Sequence, residues 1–165
     1  MIRITTDSTC DLAPEQIAQN NIVLMPLNII LGAELYEDTV NIRPQDIFDY
    51  VEKTGNLPKT AARSIDDYEE FFSKFVGAGE TVIHFSISSK ASASYNIAAE
   101  AQKKFGDSVY VVDSHALSTG QGLLVLRACD LRAEGKTAPE IVSKINALRD
   151  KVNTSFIPDR LDYLY

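Results

Sequence analysis

The stretch TVIHFSISSKASASYNIAAEAQKKFGDSVYVVD, residues 81–113, decides the fold. Its β-branched and aromatic opening predicts a strand over residues 81–86. The small-residue run behind it predicts a helix over 91–104, and residues 109–113 predict a second strand. Two strands joined through a helix form a parallel crossover, which places helices over the sheet. Towards the C-terminus a helix over 117–133 closes at Gly135, and Thr137-Ala-Pro-Glu140 opens another with Ile141, Ile145 and Leu148 on its inner face. A last strand is expected over residues 153–157. Towards the N-terminus, residues 2–7 read as a strand turning at Ser8-Thr9, followed by a short helix from Pro14 to about Asn20. The apolar run 22–31 fits one strand buried on both faces; Gly32 breaks it, and Leu35-Tyr36 returns antiparallel. A further helix runs from Pro44 to before Gly55. Ser64-Ile-Asp-Asp67 resembles a capping box, behind which Tyr68, Phe71, Phe72 and Phe75 share one helical face, a pattern of core packing. The expected class is α/β: a three-layer, largely parallel sheet flanked by helices.

Composition narrows the function. The chain has 165 residues, 45% hydrophobic and 24% charged, with a net charge of -7. That describes one globular domain whose carboxylates repel phosphate backbones and anionic membranes, so neither nucleic acid nor stable membrane anchoring is expected. The opening MIRITTDSTCDL lacks a signal peptide's apolar run, and no segment is long and apolar enough to span a bilayer, which predicts a cytoplasmic protein. Cys10 and Cys129 share no metal-ligand spacing with the two histidines, so reduced thiols are expected, with neither metal nor cofactor.

In open α/β sheets ligands bind beyond the carboxyl ends of the strands. Four segments fall there: Asp7-Ser8-Thr9 and residues 58–64, 86–94 and 113–122. They are rich in hydroxyls and poor in carboxylate pairs, with five serines between positions 86 and 94. A strand handing over to a helix there gathers hydroxyls and free amides at one spot, which suits an anion. The bland account is that Ser88 or Ser89 caps the helix.

Five pieces in register resemble the DegV family of fatty-acid-binding proteins: ITTDSTCDL (residues 4–12), VLMPLNIILGAELYED (23–38), LPKTAARSIDDYEEFF (57–72), ISSKASASYNIAAEA (87–101) and VVDSHALSTGQG (111–122). The third stands where the family reads Thr-Ser-Gln-Pro-Ser. The fourth stands where it reads Ser-Ser-x-Leu-Ser-Gly-Thr-Tyr, and the fifth matches Asp-Ser-x-x-x-Ser-x-Gly-x-Gly. The resemblance implies a bacterial, non-catalytic lipid carrier in which Thr60 and Ser92 bind the carboxylate of a long-chain fatty acid. Ser8, Ser88, Ser89 and Arg63 are possible supports, Arg63 either lending a cation or facing solvent. The neighbours depart: Ala61, Ala62 and Arg63 replace Ser, Gln and Pro, and Ala91, Ala93 and Ser94 replace Leu, Gly and Thr. It further implies a partner fatty acid kinase that phosphorylates the presented carboxylate. Residues 1–158 would form the N-terminal domain, and 159–165 a hinge toward a second domain absent from this chain. His84, inside a strand, reads as a core or sheet-surface histidine.

Three other readings set the tests. Asp113-Ser114-His115 has a hydrolase's residue types, but consecutive residues do not converge as a triad. Asp7-Ser-Thr at a strand end could be an aspartyl nucleophile or metal ligand; an Asp there more often bonds the turn amides. A ligand-free interaction domain is the third.

Overall fold

A computed structural model describes residues 1–155 and 157. Seven strands and six helices follow in the order β1 Ile2–Asp7, α1 Pro14–Gln19, β2 Val23–Met25, β3 Asn28–Leu31, β4 Glu34–Glu37, α2 Pro44–Thr54, β5 Lys59–Ala61, α3 Ile65–Val76, β6 Thr81–Ser86, α4 Ser94–Gln102, β7 Val109–Asp113, α5 Ser118–Ala133 and α6 Ala138–Arg149. The main sheet is wholly parallel, in the order β2-β1-β6-β7. Alternation along β6 builds the three layers. Ile83 and Phe85 enter a core with Leu124, Val125, Ala128 and Leu131 of α5 and Ile141 and Ile145 of α6. Val82 enters the opposite core with Tyr68, Phe71 and Phe72 of α3 and Ala98 and Ala101 of α4. The aromatic stripe of α3 is therefore core, as its spacing predicts. The Ser64 and Thr137 capping boxes also form: Ser64 Oγ accepts the Asp67 amide, while Asp67 and Glu140 accept the amides of Ser64 and Thr137.

Residues 22–31 do not form one strand. Pro26 has no N–H to give a sheet ladder, and the chain breaks there into β2 of the main sheet and β3 of a second, antiparallel one ordered β4-β3-β5. The free amide of Leu27 donates to Ser8 Oγ instead, at 3.2 Å. Leu35 and Tyr36 return antiparallel as expected, in β4. Part of 58–64, read as a loop, is β5, an edge strand on β3. Ile29, Leu31 and Ile42 form the small core beneath α2, with Tyr36, Ile47 and Tyr50.

Two further boundaries move. Helix α4 begins at Ser94 rather than Ala91, because Ser88 and Ser92 bond nearby amides in a preceding turn that competes with the helix. Residues 153–155 and 157 are not a strand; Thr154 lies instead against Gly120 of α5. The expected hinge, 159–165, lies outside the described residues.

Candidate ligand site at the strand ends

The carboxyl end of β1 carries a fully buried carboxylate. Asp7 Oδ2 accepts the Ser86 hydroxyl at 2.7 Å and the Ile87 amide at 2.9 Å; Oδ1 accepts the Tyr68 hydroxyl at 3.0 Å. Asp7 therefore spans to the neighbouring strand and to α3, and makes no side-chain bond to its own turn. His84 lies beside it, with Nε2 3.3 Å from Oδ1 in a poorly aligned contact and Nδ1 2.9 Å from Thr5 Oγ1. The rings of Tyr68, Phe71 and Phe72 meet the imidazole edge-on. Burial alone would raise the Asp7 carboxyl, but His84 and the bonds from Ser86 and Ile87 outweigh it and hold Asp7 below the usual carboxylate range. Burial first, and then Asp7, push the Tyr68 hydroxyl far above its ordinary value, so it stays protonated and donates.

Two loops meet at the ends of β6 and β7. The Ser88 amide donates to Ala116 O, and the Ser89 amide to Asp113 Oδ1. Ser92 Oγ accepts the Ser94 amide at 3.2 Å and lies 2.9 Å from Ser94 Oγ. The Ser94 hydroxyl is buried. Ser92 is half-buried at the entrance to α4, with the Ser94 hydroxyl behind it. Gln121 of α5 closes the buried side, donating to Thr6 Oγ1 at 2.8 Å and accepting from Thr9.

The residues singled out from sequence divide as follows. Thr60 is exposed on edge strand β5, opposite Ile29. Thr60 and Ser92 share no hydrogen bond among the described residues. Arg63, three residues past Thr60, and Ser94, two past Ser92, both act on the Tyr68 hydroxyl. Ser8 is buried, its oxygen engaged by the Leu27 amide. Ser88 is buried and accepts the Lys90 amide, so it bonds within the loop rather than capping α4. Ser89 meets Asp113 through its backbone. Arg63 neither faces solvent nor offers a free cation: its guanidinium donates to Pro26 O and Glu37 Oε1, each at 2.6 Å, and ties the small sheet to the β2–β3 break. Its charge is spent on Glu37.

Between the two loops lies a cavity of about 350 Å³ lined by Ser88, Lys90, His115, Leu117 and Thr154 among others. Asp113 and His115 approach, Nε2 3.6 Å from Oδ2, but Ser114 does not join them as a triad. Asp113 Oδ1 accepts the His115 amide, Ser114 Oγ bonds Ala116 O, and His115 Nδ1 turns to Asp150 Oδ1 at 2.7 Å. Among the described residues, no group of three or more His, Cys, Asp or Glu side chains is placed to hold a metal ion. Nor is any described helix long and apolar enough to cross a membrane.

Reading by sequence missed the Tyr68 hydroxyl and Gln121. The first had a signal: one Tyr in a Phe stripe carries a hydroxyl into the core, where it requires a partner. Gln121 had none beyond its place between two glycines.

The model of the DegV family of uncharacterised proteins matches residues 1–165. A DegV domain-containing protein of Deinococcus radiodurans is 31% identical over 163 residues, which cover 99% of this chain and 58% of that protein. One from Clostridium acetobutylicum is 33% identical over 164 residues, 99% of this chain and 59% of its own. The chain therefore spans a little over half the length of these curated relatives. Among solved structures, a fatty-acid-binding DegV family protein of Thermus thermophilus superposes with a TM-score of 0.83 at 31% identity, over 90% of this chain and 53% of that one. A stearic-acid-binding protein of Eubacterium ventriosum gives 0.80 at 29%, over 89% and 53%.

Proposed function

The chain belongs to the DegV family, and from that premise we propose that it grips the acid end of a long-chain fatty acid with the hydroxyls of Thr60 and Ser92. The observation that carries this reading is the setting of Ser92. Its oxygen is fixed by the Ser94 amide at the mouth of α4, with a second, buried hydroxyl behind it. A neutral donor so held favours the ionised form of a carboxylate. The tail supplies the affinity: about 0.8 kcal/mol per buried methylene gives roughly 12 kcal/mol for about 15 of them, before ordering costs. Arg63 does not pair with the head group, since Glu37 occupies it.

In this reading the domain works with a second one that covers the lipid. The protein is a carrier: it presents the carboxylate to a fatty acid kinase, which forms the acyl phosphate, and performs no chemistry itself. The fatty acids bound by the Thermus and Eubacterium proteins support the ligand class. The test is extraction of the full-length protein with organic solvent and mass spectrometry of the lipid. Stoichiometric fatty acid is expected, reduced at least several-fold in Thr60→Ala and in Ser92→Ala. Undiminished lipid in both variants overturns the site, and absence of lipid from the parent protein overturns the ligand.

A further inference from the structure

We propose that Arg63 is a positioning residue for the bound carboxylate, acting through Thr60 by joining the two halves of the grip; this rests on the assignment of Thr60 and Ser92 above. The two hydroxyls belong to different sheets. Ser92 follows β6 of the parallel main sheet, whereas Thr60 lies on β5 of the antiparallel small one. A carboxylate between them is gripped only while the spacing of the two sheets is fixed.

Strand β5 alone fixes little. It is three residues long, at a sheet edge, and pairs only with β3. A short edge strand of this kind opens locally at little cost. Two residues past its end, the Arg63 guanidinium reaches back in two directions. Nε donates to Pro26 O and Nη2 to Glu37 Oε1, each at 2.6 Å. Pro26 directly follows Met25, the last residue of main-sheet strand β2, and Glu37 ends β4 on the far side of β3. One planar fork therefore ties β5 across the small sheet and to the end of a main-sheet strand. Among the described residues, no other hydrogen bond joins residues 59–63 to β2 or Pro26. The Arg63 side chain is 12% exposed, so its charge-assisted bonds are little screened by solvent. Lysine, a single point charge, cannot reproduce two bonds of fixed direction. Without the fork, Thr60 occupies its binding position for a smaller fraction of the time, and the apparent affinity falls by that fraction. The loss cannot exceed what the Thr60 hydroxyl contributes. This role has the opposite sign to that of a counter-ion. Removing the Glu37 carboxylate would free a counter-ion and tighten binding, whereas it deprives a positioning residue of its anchor and weakens binding.

The test titrates oleate into the delipidated full-length protein and reads the dissociation constant by calorimetry. Thr60→Ala should weaken binding on the order of ten-fold, the worth of a hydrogen bond to a charged group. Arg63→Lys should weaken it about five-fold, a fall of the competent fraction to about one fifth, and Glu37→Ala should weaken it as well. Arg63→Lys placed on Thr60→Ala should add nothing, since both act through one hydroxyl; a merely structural role would add in full. Tighter binding in Glu37→Ala, or full additivity in the double variant, overturns the positioning role. So does parent affinity in Arg63→Lys beside a weakened Thr60→Ala, which leaves the Thr60 assignment standing. If Thr60→Ala binds as the parent does, that assignment falls and the positioning role with it. Should Arg63→Lys fail to fold, Glu37→Ala, alone and on Thr60→Ala, decides the matter.

Discussion

Replacing Gly122 by alanine sets two effects of known sign against each other. Gly122 lies inside α5, where alanine is favoured over glycine by about 1 kcal/mol through backbone entropy alone. A Cβ added there would stand 2.7 Å from the carbonyl oxygen of Cys10 and 2.9 Å from Leu12 Cδ2. The leucine can rotate away. The carbonyl belongs to the 3-10 turn that continues β1 and cannot retreat without moving that turn. Overpacking of this kind costs about 1–3 kcal/mol, so the net effect of Gly122→Ala is destabilisation of up to about 2 kcal/mol. Gly120 supplies the control. There the added Cβ would fall 1.9 Å from Thr154 Oγ1, 3.0 Å from Ala116 Cβ and 3.2 Å from Thr154 Cβ; Thr154 sits in a segment without regular structure that can shift, and Ala116 need give only a few tenths of an ångström. Gly120→Ala should therefore cost less than Gly122→Ala, although its contact with Thr154 is the closer one. Urea unfolding followed by circular dichroism measures both. A Gly122→Ala midpoint at or above that of the parent, or below Gly120→Ala by nothing, would refute the claim that the Cys10 carbonyl requires glycine at this position.

Asp7→Asn should cost about 2–3 kcal/mol at neutral pH, because the new amide keeps one acceptor oxygen but sets its NH2 either against the Tyr68 hydroxyl or against Ser86 and the Ile87 amide. The folded value of Asp7 lies below its unfolded one, so its contribution is complete above the unfolded value, about 3.9, and is lost as the pH falls through the folded one. The stability gap between parent and Asp7→Asn should close in acid; a gap that stays constant down to pH 2 contradicts the ionised, hydrogen-bonded Asp7. Burial raises the Cys10 thiol and pushes Cys129 up to about 11. Iodoacetamide at pH 8 should therefore modify Cys129 more slowly in the native protein than in urea, by on the order of 100-fold; equal rates would show that it is not buried.

Much of the architecture was legible because it is written in local periodicities. The β6–α4–β7 crossover, the aromatic stripe of α3 and the capping boxes at Ser64 and Thr137 each depend on residues within a few positions of one another. The misread elements depend on distant partners. VLM and NIIL are equally strand-like, and their assignment to different sheets follows from Pro26 and from a Leu27 amide that finds Ser8, 19 residues away. Lys59–Ala61 is a strand only because β3 offers it an edge. Residues 153–155 have strand-forming character, but Thr154 meets the bare face of Gly120 instead of a sheet.

The same division explains what could be read of the site. Hydroxyls gathered at the strand ends, and Ser92 among them, are visible in the composition of residues 86–94. Their organisation is not, since Tyr68 reaches Asp7 across 61 positions and Ser86 reaches it across 79. Arg63 shows the consequence most directly. From sequence it either lends a cation to the ligand or faces solvent, whereas in the fold it does neither: it clamps Pro26 and Glu37 and so secures the strand that carries Thr60. That cation, spent on Glu37, gives no counter-ion to an anion at these strand ends. The strength of Ser92 as a donor is set by what lies behind it, the Ser94 amide and the buried Ser94 hydroxyl.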